Sequence, residues 1–319
     1  RGRKMTMETR STREALGDAL IELAGLEKDV VVIDADVASS TYVKAFADEF
    51  SDRYYNVGIA EQNMIEVASG MALVGKKPYA AAFSSFLAGR AYDQIRCCIA
   101  MPNLNVKLIA THAGITVGED GATHQMLEDV ALMRVLPNMN VMVPADYWSA
   151  RNMIISSLKS DKPLYIRLGR AEVPLFYSPR DEFEIGGGKI VREGKDVTIV
   201  ACGIMLFEAL KAADILARQD IEAEVIDCYS IKPLPEDLIQ SSVRRTGCCV
   251  VAEEHNRIGG LCGAVAESLS INYPVPVRFV AVDDRFGESG TPAELQEYYS
   301  IKFREIVGAV AQVWATRRR

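Results

Sequence analysis

Short, apolar, β-branched runs that stop on polar residues constrain this chain more than any other feature. Val30-Val31-Val32-Ile33 ends in Asp34-Ala35-Asp36, and Val106-Lys107-Leu108-Ile109-Ala110 ends in Thr111-His112. Val141-Met142-Val143 stops at Pro144-Ala145-Asp146, and Leu164-Tyr165-Ile166 stops at Arg167. Runs without alternation suit strands buried on both faces, and the helical stretches between them supply the crossovers that parallel strands need. The reading is an α/β fold with polar residues gathered at the carboxyl ends of its strands, where ligands bind.

Pro174 to Lys189 interrupts the pattern. With Ser178-Pro179-Arg180-Asp181 and Gly186-Gly187-Gly188 it has turn chemistry and no helical period. A second strand-helix series follows, through Val197-Thr198-Ile199-Val200, Ala223-Glu224-Val225-Ile226, Cys249-Val250-Val251-Ala252 and Val277-Arg278-Phe279-Val280. The expected organisation is a first α/β domain over 1–175 with a mainly parallel sheet flanked by helices, a linker over 176–190, and a smaller α/β domain over 191–319.

Composition narrows the function classes. A chain of 319 residues, 49% hydrophobic and 25% charged, has the core of a globular two-domain protein. Its net charge of −7 and pI of 5.2 argue against a nucleic-acid partner, because basic residues cluster only at the termini. The Arg317-Arg318-Arg319 tail reads as a solvated helix end. The apolar runs are too short and too interrupted to span a membrane, and the expected location is the cytoplasm. Seven cysteines, with no CxxC spacing and no adjacent histidine, read as reduced thiols, and no metal ligands are assigned. Neither GxGxxG nor GxxxxGK[ST] follows the first strand, and Gly118 to Gly121 and Gly259-Gly260 read as tight turns.

Two places carry chemistry. Asn56-Val57-Gly58-Ile59-Ala60-Glu61-Gln62-Asn63-Met64 puts a carboxylate into an otherwise apolar and amide-bearing segment. Such a group is either solvated at a helix start, where the dipole favours it, or held dry for proton chemistry. The second place is Thr111 to Gln125, which holds two of the three histidines, His112 and His124, with Glu119 and Asp120. One strand-end histidine is more often structural, whereas two with carboxylates point to a polar substrate site. Phe83 and Phe86, taken alone, have the spacing of ordinary core.

Gly58-Ile59-Ala60-Glu61-Gln62-Asn63, Phe83-Ser84-Ser85-Phe86 and Gly118-Glu119-Asp120-Gly121-Ala122-Thr123-His124-Gln125 resemble, in order and spacing, the pyrimidine-binding domain of thiamine diphosphate enzymes, specifically transketolase. Ile231-Lys232-Pro233-Leu234 and Arg285-Phe286-Gly287-Glu288-Ser289-Gly290 resemble that family's C-terminal domain. The resemblance covers nearly the whole chain, as the C-terminal half of a full-length transketolase. It implies that Glu61 faces the pyrimidine ring nitrogen of thiamine diphosphate and exchanges the proton that makes the cofactor's own amine a base. A carboxyl in an apolar pocket favours the neutral form such exchange needs.

By the same resemblance, Phe83 and Phe86 offer flat faces to the ring, a contact worth about 0.5–1.5 kcal/mol beyond area burial, and Asp36 lies near the thiazolium. His124, the second catalytic candidate, contacts oxygens at the donor carbonyl, and Asp120 contacts the neighbouring hydroxyl. His112 and Arg167 take the distal phosphate. Arg13 and Ser40 fall where the family also contacts phosphate, for which a guanidinium gives a planar charged fork. His255, in the second domain, has no role in the chemistry. Leu87 to Asp93 carries one residue more than expected before its Arg-Ala-aromatic-Asp pattern, and the third pocket aromatic stays unassigned.

A diphosphate needs a hard divalent cation on oxygen ligands, which the family supplies through a Gly-Asp-Gly motif followed by a stretch ending in Asn. No such motif occurs in this sequence, and with the first strand read near Val30 that domain is not expected ahead of it. The resemblance therefore implies one subunit of a split transketolase, moving a two-carbon ketol unit between sugar phosphates. An N-terminal partner subunit would hold the diphosphate and its Mg²⁺ or Ca²⁺, and two-fold self-association would give a heterotetramer. The alternatives are the β subunit of a 2-oxo acid dehydrogenase decarboxylase, a deoxyxylulose-phosphate synthase-like enzyme, and a non-catalytic regulatory or assembly subunit.

Overall fold

The computed structural model describes residues 8–317. Arg1 to Met7, and Arg318 and Arg319 of the C-terminal arginine run, lie outside the described residues. Near the start, β1 (Thr9–Ser11) pairs antiparallel with β8 (Glu172–Pro174) in a two-stranded ribbon. The main sheet of the first domain contains β2 (Val30–Asp34), β3 (Tyr54–Asn56), β4 (Lys77–Phe83), β5 (Lys107–Thr111), β6 (Asn140–Met142) and β7 (Leu164–Arg167). All six run parallel, in the order β6-β7-β5-β4-β2-β3.

Alternate residues of each central strand feed opposite layers. Val30, Val32, Ile109 and Ile166 pack with Leu16, Leu20, Leu23, Ala150 and Met153 from the helices Glu14–Leu26 and Tyr147–Ser156. Val31, Ile33, Leu108 and Tyr165 pack on the other face with Met64, Ile65, Leu87, Ile95 and Met133. Each fully buried aliphatic side chain contributes roughly 1.5–3 kcal/mol, and burial on both faces accounts for the unbroken apolar runs.

Register then sets the strand exits side by side. Phe83 is opposite Thr111, Ala110 is opposite Arg167, and Asp34 lies between Ala81 and Asn56. The polar residues that end the runs thus share one edge of the sheet.

The second domain forms a five-stranded sheet, with β9 (Lys189–Arg192), β10 (Val197–Ala201), β11 (Ala223–Asp227), β13 (Cys249–Asn256) and β14 (Val277–Val282) in the order β14-β13-β10-β11-β9. It is parallel except for β9, which pairs antiparallel with β11. Between β11 and β13, β12 (Ser230–Lys232) leaves this domain and adds antiparallel to β6 as a seventh strand of the first sheet. The two domains are stitched together.

Nor is the segment between them a loose spacer. Phe176, Tyr177 and Phe183 are buried in an edge-to-face train that ends on Tyr229, with successive centroids 4.9–5.0 Å apart. The backbone N–H groups of Phe176 and Tyr177 both donate to Asp146 Oδ2 at 2.8 Å. The turn chemistry of its sequence describes the path; aromatic burial supplies the rigidity.

The additional residue in Leu87 to Asp93 also has a physical outcome. Ser85–Arg90 winds as a π turn, with Ala91 N–H donating to Phe86 O at 3.3 Å. A π turn absorbs one inserted residue while the helix continues in phase. The cysteines are free thiols, five of them buried and Cys97 and Cys98 half-buried. Among the described residues no helix is long and apolar enough to cross a membrane.

Candidate active site

Glu61 opens the helix Glu61–Leu73, so its carboxylate sits at the positive end of the helix dipole. It is not solvated there: the residue is 2% exposed, and its Oε2 accepts from Arg90 Nη1 at 2.9 Å. The carboxylate is held dry at the helix start, beside a cation and not in a wholly apolar pocket. The Arg90 guanidinium lies over the Phe86 ring, with Cζ 4.6 Å from the centroid.

The aromatic residues extend the site inward. Phe83 and Phe86 stack with centroids 6.1 Å apart, and both are half-buried, where core residues would be sealed. His112 lies 3.9 Å from Phe83, and His124 stands edge-on to Phe86 at 5.4 Å. Contacts therefore run continuously from Glu61 through Arg90, Phe86 and Phe83 to both histidines.

His112 fixes its own tautomer. Arg13 Nη1, a donor only, lies 3.1 Å from His112 Nε2, so Nε2 accepts and Nδ1–H donates to Thr111 Oγ1 at 2.9 Å. Burial, then the charges of Arg13 and Arg170 and the His124 ring, push His112 down to about 3, and the ring is neutral at physiological pH. Burial also lowers Arg13 from its ordinary value. Arg13 Nη1 donates to the Ser40 carbonyl at 3.0 Å, which brings the exposed Ser40 beside it. Its Nε is buried with no hydrogen-bond partner among the described residues.

Arg13 and Arg170 line a pocket of about 270 Å³ with Ser11, Thr116 and Glu119. Arg170 follows β7 and donates to Val117 O at 2.6 Å and to Asp120 Oδ2 at 3.3 Å. Sequence reasoning missed it and chose Arg167, three residues earlier. The structure turns Arg167 elsewhere: it is 7% exposed, its Nε lies 2.9 Å from Asp129 Oδ2, and its Nη2 donates to the carbonyls of Met126 and Glu254. Its donors face inward, and it does not line the pocket of Arg13 and Arg170.

Asp36 stands apart from this cluster. It is exposed at the exit of β2, in a left-handed conformation (φ 64°), and its Oδ1 accepts from Asn56 Nδ2 at 3.0 Å.

With this geometry in view, two family models match the chain: transketolase, pyrimidine binding domain, over residues 8–174, and transketolase, C-terminal domain, over residues 186–306. The chain belongs to the transketolase family. It is 43% identical over 312 residues to a putative transketolase C-terminal section of Methanocaldococcus jannaschii, covering 97% of this chain and 98% of that protein. It is 41% identical over 310 residues to a 6-deoxy-6-sulfo-D-fructose transketolase subunit of a Clostridium species, covering 97% and 96%. Among solved structures it is similar to a split gene transketolase described as an inactive beta4 tetramer, with TM-score 0.90, 48% identity, and coverage of 98% of this chain and 100% of that one.

The transketolase C-terminal domain reaches the site as well. Gln125 Nε2 donates to Glu288 O at 2.8 Å and to the carbonyls of Ile115 and Gly118, clamping the His124 loop under the 285–290 segment. Glu254 Oε1 accepts from Thr116 N–H at 2.7 Å, and burial raises its carboxyl. Gly114, at φ +84°, is where this approach happens; a Cβ there would overlap the Glu254 carboxylate. Ser84, between the two pocket phenylalanines, donates to Asp129 at 3.0 Å, and Tyr165 donates to it at 2.8 Å. The aromatic floor is thereby tied to the Arg167 ion pair and, through it, to the second domain. His255 is 1% exposed with Nδ1 2.6 Å from the Asn256 carbonyl, as a structural histidine should be.

Transketolases depend on thiamine diphosphate, and the residues present fit one end of it. A buried carboxylate beside two accessible phenyl faces suits an aminopyrimidine ring. Among the described residues, no group of three or more His, Cys, Asp or Glu side chains is arranged to hold a metal ion.

Proposed function

We propose that this chain is the pyrimidine-binding subunit of a two-chain transketolase, which moves a two-carbon ketol unit between sugar phosphates once an N-terminal partner subunit supplies the diphosphate and Mg²⁺ or Ca²⁺ site. The observation that carries this reading is the buried Glu61 carboxylate, linked through Arg90 to Phe86, Phe83 and the His112–Arg13 pair.

Thiamine diphosphate, when bound, supplies a nucleophilic carbon for cleaving and rejoining ketoses. The chain's residues do the rest. Glu61 exchanges a proton with the pyrimidine nitrogen, while Phe83 and Phe86 fix the ring by stacking. His124, whose Nδ1 is engaged by Thr123 Oγ1 at 3.0 Å, leaves Nε2 for the donor's carbonyl oxygens, and Asp120 takes the adjacent hydroxyl. Because His112 is neutral and already accepts at Nε2, the distal anion belongs to Arg13 and Arg170, and His112 holds Arg13 in place. Asp36 on the thiazolium side and Ser40 near the phosphate complete the assignment.

A second reading, a sulfonated in place of a phosphorylated sugar, is supported by the sulfofructose transketolase relative and by a two-guanidinium site that suits any tetrahedral oxyanion. The test mixes purified chain, purified partner subunit, thiamine diphosphate and magnesium with xylulose 5-phosphate and ribose 5-phosphate. Ketol transfer is expected from the pair and from neither alone. Full turnover by this chain by itself, or pyruvate decarboxylation in place of sugar transfer, refutes the proposal.

A further inference from the structure

Arg90 meets the cofactor residues in the way a flat, N–H-bearing ring would. Its guanidinium is planar, lies over Phe86 with Cζ 4.6 Å from the centroid, and donates from Nη1 to Glu61 Oε2 at 2.9 Å. Stacking on a phenyl face and hydrogen bonding to Glu61 are the two interactions expected of an aminopyrimidine in this pocket. The π turn Ser85–Arg90 ends on this cation and presents it beside Phe86.

We infer that Arg90 is a placeholder: its guanidinium takes the place of the ring on Glu61 and Phe86 and swings into solvent when the cofactor loads. This rests on the thiamine diphosphate reading above. The charge bookkeeping shows why a placeholder is needed. Glu61 has a side chain only 3% exposed, and a carboxylate held that dry without a counter-ion is costly. The same geometry makes the cap removable. The Arg90 side chain is 48% exposed and follows the exposed Gly89, so its charge returns to water at little cost when the ring replaces it.

The experiment uses the complex of this chain with its N-terminal subunit, titrated with thiamine diphosphate and Mg²⁺ in a calorimeter. Arg90→Met keeps the aliphatic stem and removes the charge and the plane. Its complex is expected to bind the cofactor roughly three- to tenfold more tightly than wild type, the competing ion pair and cation–π contact being gone. Its cofactor-free form is expected to melt at a lower temperature, while the loaded form melts as wild type does. Unchanged or weaker binding by Arg90→Met overturns the placeholder, since a residue that holds the cofactor gives that result. Should Arg90→Met fail to fold, Arg90→Lys keeps a counter-charge for Glu61 without the stacking plane; tighter binding than wild type supports the inference and equal or weaker binding overturns it. A wild-type complex that takes up no thiamine diphosphate overturns the functional reading itself, and the placeholder with it.

Discussion

The two arginines at the exit of β7 make opposite predictions. Arg167→Met removes a guanidinium lying 2.9 and 3.1 Å from the two oxygens of Asp129 and strips the Met126 and Glu254 carbonyls of a donor. Burial alone would raise Asp129, but Arg167 helps hold it below its ordinary value. Breaking a buried pair from one side costs about 3–5 kcal/mol. At about 2 °C per kcal/mol for a chain this long, the melting temperature falls by roughly 6–10 °C. Arg170→Met removes a side chain 34% exposed, paired with Asp120 at the surface, and costs below about 1 kcal/mol of stability. On the proposed function it also removes a charged donor for the substrate oxyanion, worth about 1.5–3 kcal/mol, or roughly 10- to 150-fold in KM. Thermal melts of the purified chain and ketol-transfer kinetics of the reconstituted pair separate the two effects. An Arg167→Met protein that melts like wild type but has a raised KM, alongside an Arg170→Met protein with normal KM, would refute the reassignment.

Glu61→Gln should lower kcat of the reconstituted complex by about 10²- to 10⁴-fold, the usual value of a positioned proton-exchanging group; wild-type turnover would remove Glu61 from the chemistry. His112 makes stability depend on pH. Its folded-state value of about 3 lies below the 6.5 of an unfolded chain, so the unfolded state binds more protons between these limits. The His112 contribution is therefore complete above pH 6.5 and is lost as pH falls toward 3, at up to about 1.4 kcal/mol per pH unit. Urea titrations at pH 4.5, 5.5 and 7 (the outer values being about two and a half pH units apart) should show a shallower pH dependence in His112→Gln, and identical slopes would count against a neutral buried ring. Gly114→Ala, at φ +84° and against Glu254, should cost about 3 kcal/mol or more, while Gly308→Ala, in an open helix position, should stabilise by about 0.5–1 kcal/mol. Thermal melts of both variants check the pair, and a harmless Gly114→Ala would mean the loop can move away from the second domain.

The elements were legible because the central strands are buried on both faces and so read as unbroken apolar runs. Glu61 was legible for the converse reason, a charge where the surroundings are apolar. Partners distant in sequence were not. Arg90 is 29 positions from Glu61, and a hydrogen-bonded pair at that spacing leaves no periodic mark. The choice between Arg167 and Arg170 turns on which way a residue points at the end of a strand. Arg167 is still in β7 and lies between the sheet and the second domain, whereas Arg170 is past it, in the loop beside Asp120. The extra residue after Phe86 looked like a break in the motif because linear spacing has no symbol for a turn that takes one residue more.

The strand that crosses from the second domain onto β6 has a consequence for any division of the chain. Were the polypeptide severed near residue 190, the first piece would carry β6 with an unpaired edge, and exposed edges recruit other chains into aggregates. The second piece would carry Ser230–Lys232 with nothing to pair against. A cut between the two domains therefore damages both pieces, each losing the strand partner that the other holds.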